Sequence, residues 1–454
     1  MKYSDLEKFK KLHFIGIGGS GMYPLVQILF EKGFIISGSD NNTGDNIDRE
    51  LKMGLNISIG HKAENVIGKD AIVYSAAIMK DNIELVEAIK RNIPIIERSE
   101  LLGILTEQYN SCYCVCGTHG KTTTSSMITE ILLAADMDPT AVIGGKLDSI
   151  NGSGRCGKTQ NMVVEACEFV DTFLKLYPDT SVILNIDEDH LDYFKSMDRL
   201  KKSFNKFAHM TKNVVVYNGD DKNTVDSVKD ITNAVSFGQN HTNKYYFDNV
   251  IRKDESHCSF DTYKDNRIIG QINLNIPGEH NIYNATGAVA LSLENGIDFK
   301  YIQKGLKNFN GVHRRMDCIG KYKNITIFDD YAHHPAEIAS ALQSIRSMFP
   351  GRKICAVFQP HLFTRTRDFA EDFAHSLSLA DSVILLGIYP AREKPIPGVT
   401  SELIFNRITC QDKVLIDKEE LLDLLKTKDT DVLVTLGAGD IDRYIDKITA
   451  LKEA

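Results

Sequence analysis

A chain of 454 residues has room for roughly two to four domains, with three the central expectation, and 43% hydrophobic content supplies real cores. A net charge of −8 works against non-specific attraction to nucleic acid, and no apolar run approaches bilayer-spanning length. The polar opening "MKYSDLEKFKKLHF" does not read as a signal peptide. Cys112, Cys114 and Cys116 alternate along one strand-like run without zinc-site spacing, and read as buried, reduced thiols of a cytoplasmic protein.

In chain order, "LHFIGI", "FIISGSD", "AIVYSAAI" and "IPIIER" alternate with helical stretches such as "GMYPLVQILFEK" and "VEAIKRN". That alternation predicts a parallel sheet covered on both faces. A second part opens at "SCYCVCGTHGKTTTSSMITEILLAADM" and continues through the strands "NMVVEACE", "SVILNID" and "NVVVYNGDD". Residues 240–277 read as an antiparallel excursion on its edge, followed by a helix near "HNIYNATGAVALSLENG". A third part alternates again from "NITIFDDYA" to "VLVTLGAGD". The expectation is α/β throughout, in three domains: 1–109, 110–312 and 313–454, the first and third Rossmann-like and the second a nucleotide-loop domain.

Two glycine loops stand out. "HFIGIGGSGM" carries G-x-G-x-x-G at Gly16, Gly18 and Gly21, between an apolar run and a helix, where backbone N–H groups and a helix N-terminus suit a diphosphate. Asp40 ends the next strand, where it could accept hydrogen bonds from a ribose; the bland alternative is a tight turn without ligand. "GTHGKTTT" is too short for a Walker A loop, whose first glycine would fall at Val115. Strand before and helix after still make it a phosphate cradle, with the N–H groups of Gly117, Thr118, His119, Gly120, Lys121 and Thr122 around β- and γ-phosphates. Lys121 would offset developing charge, and Thr122 is the natural magnesium ligand. A dehydrogenase has no use for the second loop, and a simple kinase none for the first.

Acids follow two apolar strands. Glu165, Glu168, Asp189 and His190 could converge on a magnesium ion at the loop, or "DEDH" could simply cap a helix. Asn281 and Asn284 share a helical face near His280, for a nucleotide or for capping. The paired arginines of "GVHRRMD" suit phosphate. Asp330 ends a strand where a ribose contact is usual. The adjacent His333 and His334 are a poor pair for one ion. Arg365 and Arg367 of "FTRTRD" could hold a carboxylate, or remain solvated at a helix start.

In this order the segments from "HFIGIGGSGM" through "GTHGKTTT", "EACE", "NIDEDHLDYF", "PGEHNIYN", "HRRMD", "DDYAHHP" and "QPHLFTRTRD" to "GAGDI" resemble the Mur ligases, from residue 12 to about residue 440. His119, where sister enzymes carry asparagine, is similar to the alanine-adding branch. The resemblance implies an ATP-dependent ligase that phosphorylates the carboxylate of UDP-N-acetylmuramate and then joins L-alanine to the acyl phosphate. It implies UDP binding by Gly18, Gly19, Ser20, Gly21 and Asp40, and ATP binding by Gly117 to Thr123, with Thr123 included. Thr122 and Glu168 would hold one magnesium and His190 a second. Asn281, Asn284, Arg315 and Asp330 match positions around ATP, and His334 and Arg365 match positions facing the reaction centre. The catalytic set so implied is Lys121, His190, Arg315, His334 and Arg365. Third-domain closure would complete the site. Monomer and homodimer both stay open.

The sequence departs from the family pattern at "EACE", which is less acidic than in many members, at Leu362 in place of an arginine, and at Arg392 in place of a glycine. The rival readings are a recycling ligase that accepts a whole peptide, an NAD-dependent oxidoreductase using the first loop, and a nucleotide sensor that binds ATP without turnover.

Overall fold

The computed structural model describes residues 1–188, 191–254, 257–391 and 393–451. Asp189, His190 and Arg392, all singled out from the sequence, lie outside these residues.

The chain is α/β, built on three sheets. The first contains β1 (Lys11–Ile15), β2 (Ile35–Asp40), β3 (Asn56–Ile59), β4 (Ala71–Tyr74) and β5 (Ile95–Glu97). All pairings are parallel, in the order β3-β2-β1-β4-β5. The loop after β1 therefore leaves the sheet where the strand order reverses, which is where open α/β sheets collect ligands. It leads into helix α1 (Tyr23–Glu31).

The second sheet contains β6 (Ser111–Cys116), β7 (Thr140–Leu147), β8 (Gly152–Arg155), β9 (Asn161–Glu165), β10 (Thr180–Ile183), β11 (Val214–Asn218), β12 (Ala234–Gly238), β13 (Tyr245–Arg252), β14 (Cys258–Lys264) and β15 (Arg267–Leu274). Its order is β15-β14-β13-β12-β11-β10-β6-β9-β7-β8. β6 lies inside the parallel run from β12 to β7 and is buried, so it reads as an unbroken apolar string. The antiparallel pairs β13–β14 and β14–β15 form the edge excursion that the sequence predicts. Because β9 and β10 flank β6, with Val115 beside Glu165 and Cys116 beside Ile183, the chain leaving all three strands meets at one edge. From β6 it passes through the second glycine loop into α2 (Lys121–Ala134). Helix α3 (Glu279–Glu294) is buried along nearly the whole run from Asn281 to Ser292.

The third sheet contains β16 (Asp317–Tyr322), β17 (Ile325–Asp330), β18 (Ile354–Phe358), β19 (Ser382–Leu385), β20 (Asp412–Leu415) and β21 (Val432–Leu436), in the order β16-β17-β21-β18-β19-β20. Only the edge strand β16 is antiparallel. The residues form two compact units. Met1–Lys253, His257–Ile276 and His280–Asn310 make the first and carry the first two sheets, while the third sheet belongs to the second, from Gly311 onward.

Candidate active site

The cradle after β6 depends on two left-handed glycines. Gly117 has φ 137° and Gly120 has φ 83°, a region that other L-residues adopt only at a cost. At Gly120 space forbids a side chain as well: a Cβ would lie 2.4 Å from Asn284 Oδ1. Asn284 in turn donates to Asn281 Oδ1 at 3.0 Å, so the two amides predicted from α3 stand directly behind the loop. The chain leaving β10 braces the other side. Thr118 N donates to Asn185 O at 3.0 Å and His119 N to Asn185 Oδ1 at 2.7 Å. Asp187 N donates to Thr118 Oγ1 at 2.9 Å.

Lys121, at the first position of α2, folds back over the loop. Its Nζ donates to Gly117 O at 2.6 Å, Thr118 O at 2.9 Å and Glu168 Oε1 at 3.2 Å, and lies 3.0 Å from Glu168 Oε2. Burial opposes the ammonium charge, but Glu168 and Glu165 outweigh it and hold Lys121 above its ordinary value. Glu168 is itself almost fully buried, at 1% exposure.

Thr122 turns the other way and donates to Glu165 Oε2 at 2.8 Å, an atom that also accepts Gly144 N at 2.8 Å. The two acids of "EACE" are thus divided, Glu165 to the hydroxyl and Glu168 to the ammonium. Gly144 was not picked out from the sequence, although the glycine pair ending "TAVIGGK" was the available signal. A Cβ there would lie 2.4 Å from Glu165 Oε2 and 2.7 Å from Thr122 Oγ1. Hydroxyl and carboxylate oxygens are the hard donors magnesium prefers. Among the described residues no three His, Cys, Asp or Glu side chains form a metal cage. A cation here would therefore complete its shell with ligand oxygens and water. Thr123 continues α2.

The first glycine loop has a different architecture. Gly16, at φ 77°, donates to Ser39 O at 2.8 Å. Gly18 N donates to Asp40 Oδ2 at 3.1 Å, and Gly18 O accepts Asn46 Nδ2 at 3.0 Å. Asp40 also accepts Asn42 N, so its carboxylate braces the loop that it was expected to assist at a ribose. Gly19 and Ser20 are exposed at the tip. Arg98 lies against Gly21, with Nη1 3.4 Å from where a Cβ would stand, and adds a cation that the sequence pattern does not signal.

In the second unit Asp330 ends β17 and its carboxylate takes Met316 N and Ala332 N, each at 2.7 Å. Burial raises its pKa, and Arg315 works against that rise. The Arg315 guanidinium lies 5.4 Å over the Tyr331 ring. His334 caps helix α4 (Pro335–Met348), its N–H on Glu337 Oε2 at 3.2 Å and its ring edge-on to Phe369. His333 Nδ1 is 3.0 Å from Tyr331 O and 3.3 Å from Glu337. Arg365, on α5 (Phe363–Asp368), reaches His333 O at 3.5 Å. Arg315, Asp330, His333, His334 and Arg365 therefore gather where β17 and β18 end. Arg367 pairs with its neighbour Asp368 in solvent, the plainer of its two readings.

Comparison with known proteins settles the family. Residues 11–110 match the model of the Mur ligase family, catalytic domain; residues 115–292 match the Mur ligase middle domain; residues 314–439 match the Mur ligase, glutamate ligase domain. The chain is 44% identical over 447 residues to a UDP-N-acetylmuramate–L-alanine ligase of Caldanaerobacter subterraneus subsp. tengcongensis, covering 96% of each chain. It is 43% identical over 441 residues to one of Clostridium acetobutylicum, covering 95% of this chain and 96% of that one.

The chain belongs to the Mur ligase family.

Its three-domain α/β fold is that of other Mur ligases. The UDP-N-acetylmuramate–alanine ligase of Thermotoga maritima superposes with a TM-score of 0.83 at 28% identity, covering 97% of this chain and 98% of that one. A murein peptide ligase of Psychrobacter arcticus shares the fold with a TM-score of 0.73 at 22% identity, covering 98% and 99%. In this Mur ligase no helix among the described residues is long and apolar enough to cross a membrane.

Proposed function

We propose that this Mur ligase joins L-alanine to the carboxylate of UDP-N-acetylmuramate at the expense of ATP, a step in peptidoglycan precursor synthesis. It is an ATP-dependent, C–N bond-forming ligase. The observation that carries the reading is identity of 40–44% across nearly the whole chain to enzymes of that name. The Lys121 cradle agrees with it.

The chemistry needs two displacements. A carboxylate is a poor electrophile, so its oxygen first attacks the γ-phosphorus of ATP, and ADP leaves. The amine of L-alanine then attacks the acyl carbon, and inorganic phosphate leaves. Gly117 to Thr123 bind the ATP phosphates through backbone N–H groups at the start of α2. Lys121 exchanges its present carbonyl and carboxylate partners for the transferred phosphoryl group. Asn281, Asn284, Arg315 and Asp330 hold the rest of ATP, and His334 and Arg365 face the reacting carboxyl and the amino acid. Gly18, Gly19, Ser20, Gly21 and Asp40 bind UDP. Thr122 and Glu168, with Glu165 on the Thr122 hydroxyl, would hold magnesium, as would His190 by the family pattern. The ion supplies charge neutralisation on the phosphates. All the substrates are small and soluble, which suits a cytoplasmic enzyme.

ADP release tests the reading. With ATP, magnesium and UDP-N-acetylmuramate present, L-alanine should trigger release, glycine or L-serine less of it, and Lys121→Ala none. Release with a tripeptide but not with L-alanine would instead mark a recycling ligase.

A further inference from the structure

Directly after Glu168 the backbone does something expensive. Val170 has φ 53°, ψ 33° and Asp171 has φ 56°, ψ 24°, two consecutive non-glycine residues in the left-handed region. For a β-branched residue that conformation is a true outlier. Burial does not offset the cost, because Phe169 and Val170 are 40% and 45% exposed. The compensation comes from hydrogen bonds. Asp171 Oδ2 accepts the Tyr193 hydroxyl at 2.8 Å, and Oδ1 accepts the Ser203 hydroxyl. Asp171 N closes back onto Glu168 O at 2.9 Å. Thr172 Oγ1 and Phe173 N both donate to Cys167 O, at 2.8 and 3.0 Å. The Phe173 ring is then locked in the core, stacked 4.7 Å from Phe207.

We propose that Asp171 is a positioning residue: its carboxylate clamps this strained knuckle to Tyr193 and Ser203, and the clamped knuckle fixes Glu168 opposite Lys121. The inference rests on the reading of the Lys121 loop as an ATP site. Its logic is geometric. Glu168 lies beyond the last strand residue, Glu165, and the last bond to β6 on that side, Ala166 N to Val115 O at 2.8 Å, stops two residues short of it. Its position is set instead from the C-terminal side, by the Asp171 N to Glu168 O bond and the anchor at Phe173. Tyr193 also belongs to the "DEDHLDYF" segment, so one carboxylate ties together the two acidic stretches that border the phosphate loop.

The test uses the full chain and reads ATP affinity by titration calorimetry, together with KM for ATP and for UDP-N-acetylmuramate. Asp171→Asn is the informative variant, because asparagine tolerates the left-handed region and only the second acceptor oxygen is lost. The expected result is a rise of about tenfold in Kd and KM for ATP, the scale seen when groups that orient a ligand shell are removed, with KM for the UDP-sugar unchanged. Adding Val170→Gly should reverse the rise, because glycine enters the left-handed region without penalty and no longer needs the clamp. A merely structural role would lower Tm and leave the ATP constants of the folded enzyme alone. Tyr193→Phe, which removes one donor, should give a smaller rise of the same kind and covers the case in which Asp171→Asn folds poorly. Unchanged ATP constants, or a rise that Val170→Gly does not reverse, would overturn the clamp. Wild-type protein that binds ATP no better than Lys121→Ala would overturn the loop reading itself.

Discussion

The Lys121 ammonium lies 3.0 Å from a Glu168 oxygen that is itself sealed from solvent, and two loop carbonyls take its other protons. The protein has already matched this cation with acceptors of its own. A phosphate must therefore displace good partners, and it gains by doing so only because it carries more charge than a carboxylate. Lys121→Ala should lower kcat by about 10²–10³, the usual range for removing one group that stabilises transition-state charge, as measured by ADP release. Lys121→Arg should not restore it, because a planar fork cannot occupy a pocket built around a point donor.

Glu165 and Glu168 should separate in a magnesium titration. Glu165→Gln disturbs the Thr122 hydroxyl and Gly144 N–H that meet on Oε2, so the half-saturating magnesium concentration should rise by about tenfold or more. Glu168→Gln removes a proposed magnesium ligand and also weakens the hold on Lys121, so kcat should fall even at saturating magnesium, where Glu165→Gln should recover. Equal behaviour of the two variants in both readouts would mean the acids are interchangeable.

Gly120→Ala meets two penalties, the left-handed φ of 83° and the Asn284 oxygen 2.4 Å from the new methyl. The backbone term alone costs about 1–2 kcal/mol. Thermal unfolding should show it as a lowered Tm, and ATP affinity should fall as well. Asn284→Ser in the same chain should recover part of the Tm loss by removing the clash, and none of the backbone part.

Glu50 gives a pH signature in stability. It is fully buried, both carboxylate oxygens lack a partner among the described residues, and burial together with Asp40 pushes its pKa up to about 8. Unfolded, the same group titrates at the ordinary value of 4.5. Between those values the unfolded chain has lost a proton that the folded chain keeps, so Glu50 lowers stability as pH rises from 4.5 towards 8, and no further above that. Urea midpoints should show Glu50→Gln equal to the parent near pH 5 and more stable near pH 9. A constant difference across that range would remove Glu50 as the cause.

The sequence made the three alternations of strand and helix legible because buried parallel strands such as "CYCVC" and "ICAVF" cannot be mistaken for amphipathic helices. It also singled out the Lys121 loop as a candidate phosphate cradle, since Gly117, Gly120 and Lys121 have few uses at that spacing. What it could not do was divide labour between Glu165 and Glu168. Glu165 ends the strand, Ala166 N makes the last bond to β6, and beyond it the chain turns through a left-handed knuckle that no periodicity announces. Asp40 was recognised as a strand-ending acid, yet its hydrogen bond to Gly18 N depends on a loop curvature visible only in three dimensions. Gly144 and Arg98 reach their loops from other strands or helices, so spacing along the chain does not tell which loop they meet, and the glycine pair at Gly144 signals only a close approach.

The alternating cysteines of β6 have a consequence for experiment. Cys112, Cys114 and Cys116 are free and fully buried, and the Cys114 and Cys116 thiols are pushed up, the first by its 3.7 Å contact with Cys112 and by burial, the second by burial and Glu168. The three alternate along β6 and so share one face of the sheet, and an alkylating reagent can reach them only when the layer packed on that face lifts away. Their labelling rate is thus a clock for that opening. Run with and without ATP, it would convert ligand binding at the proposed Lys121 site into a change in how often that layer lifts from the middle sheet, read by mass at three positions in one tryptic fragment.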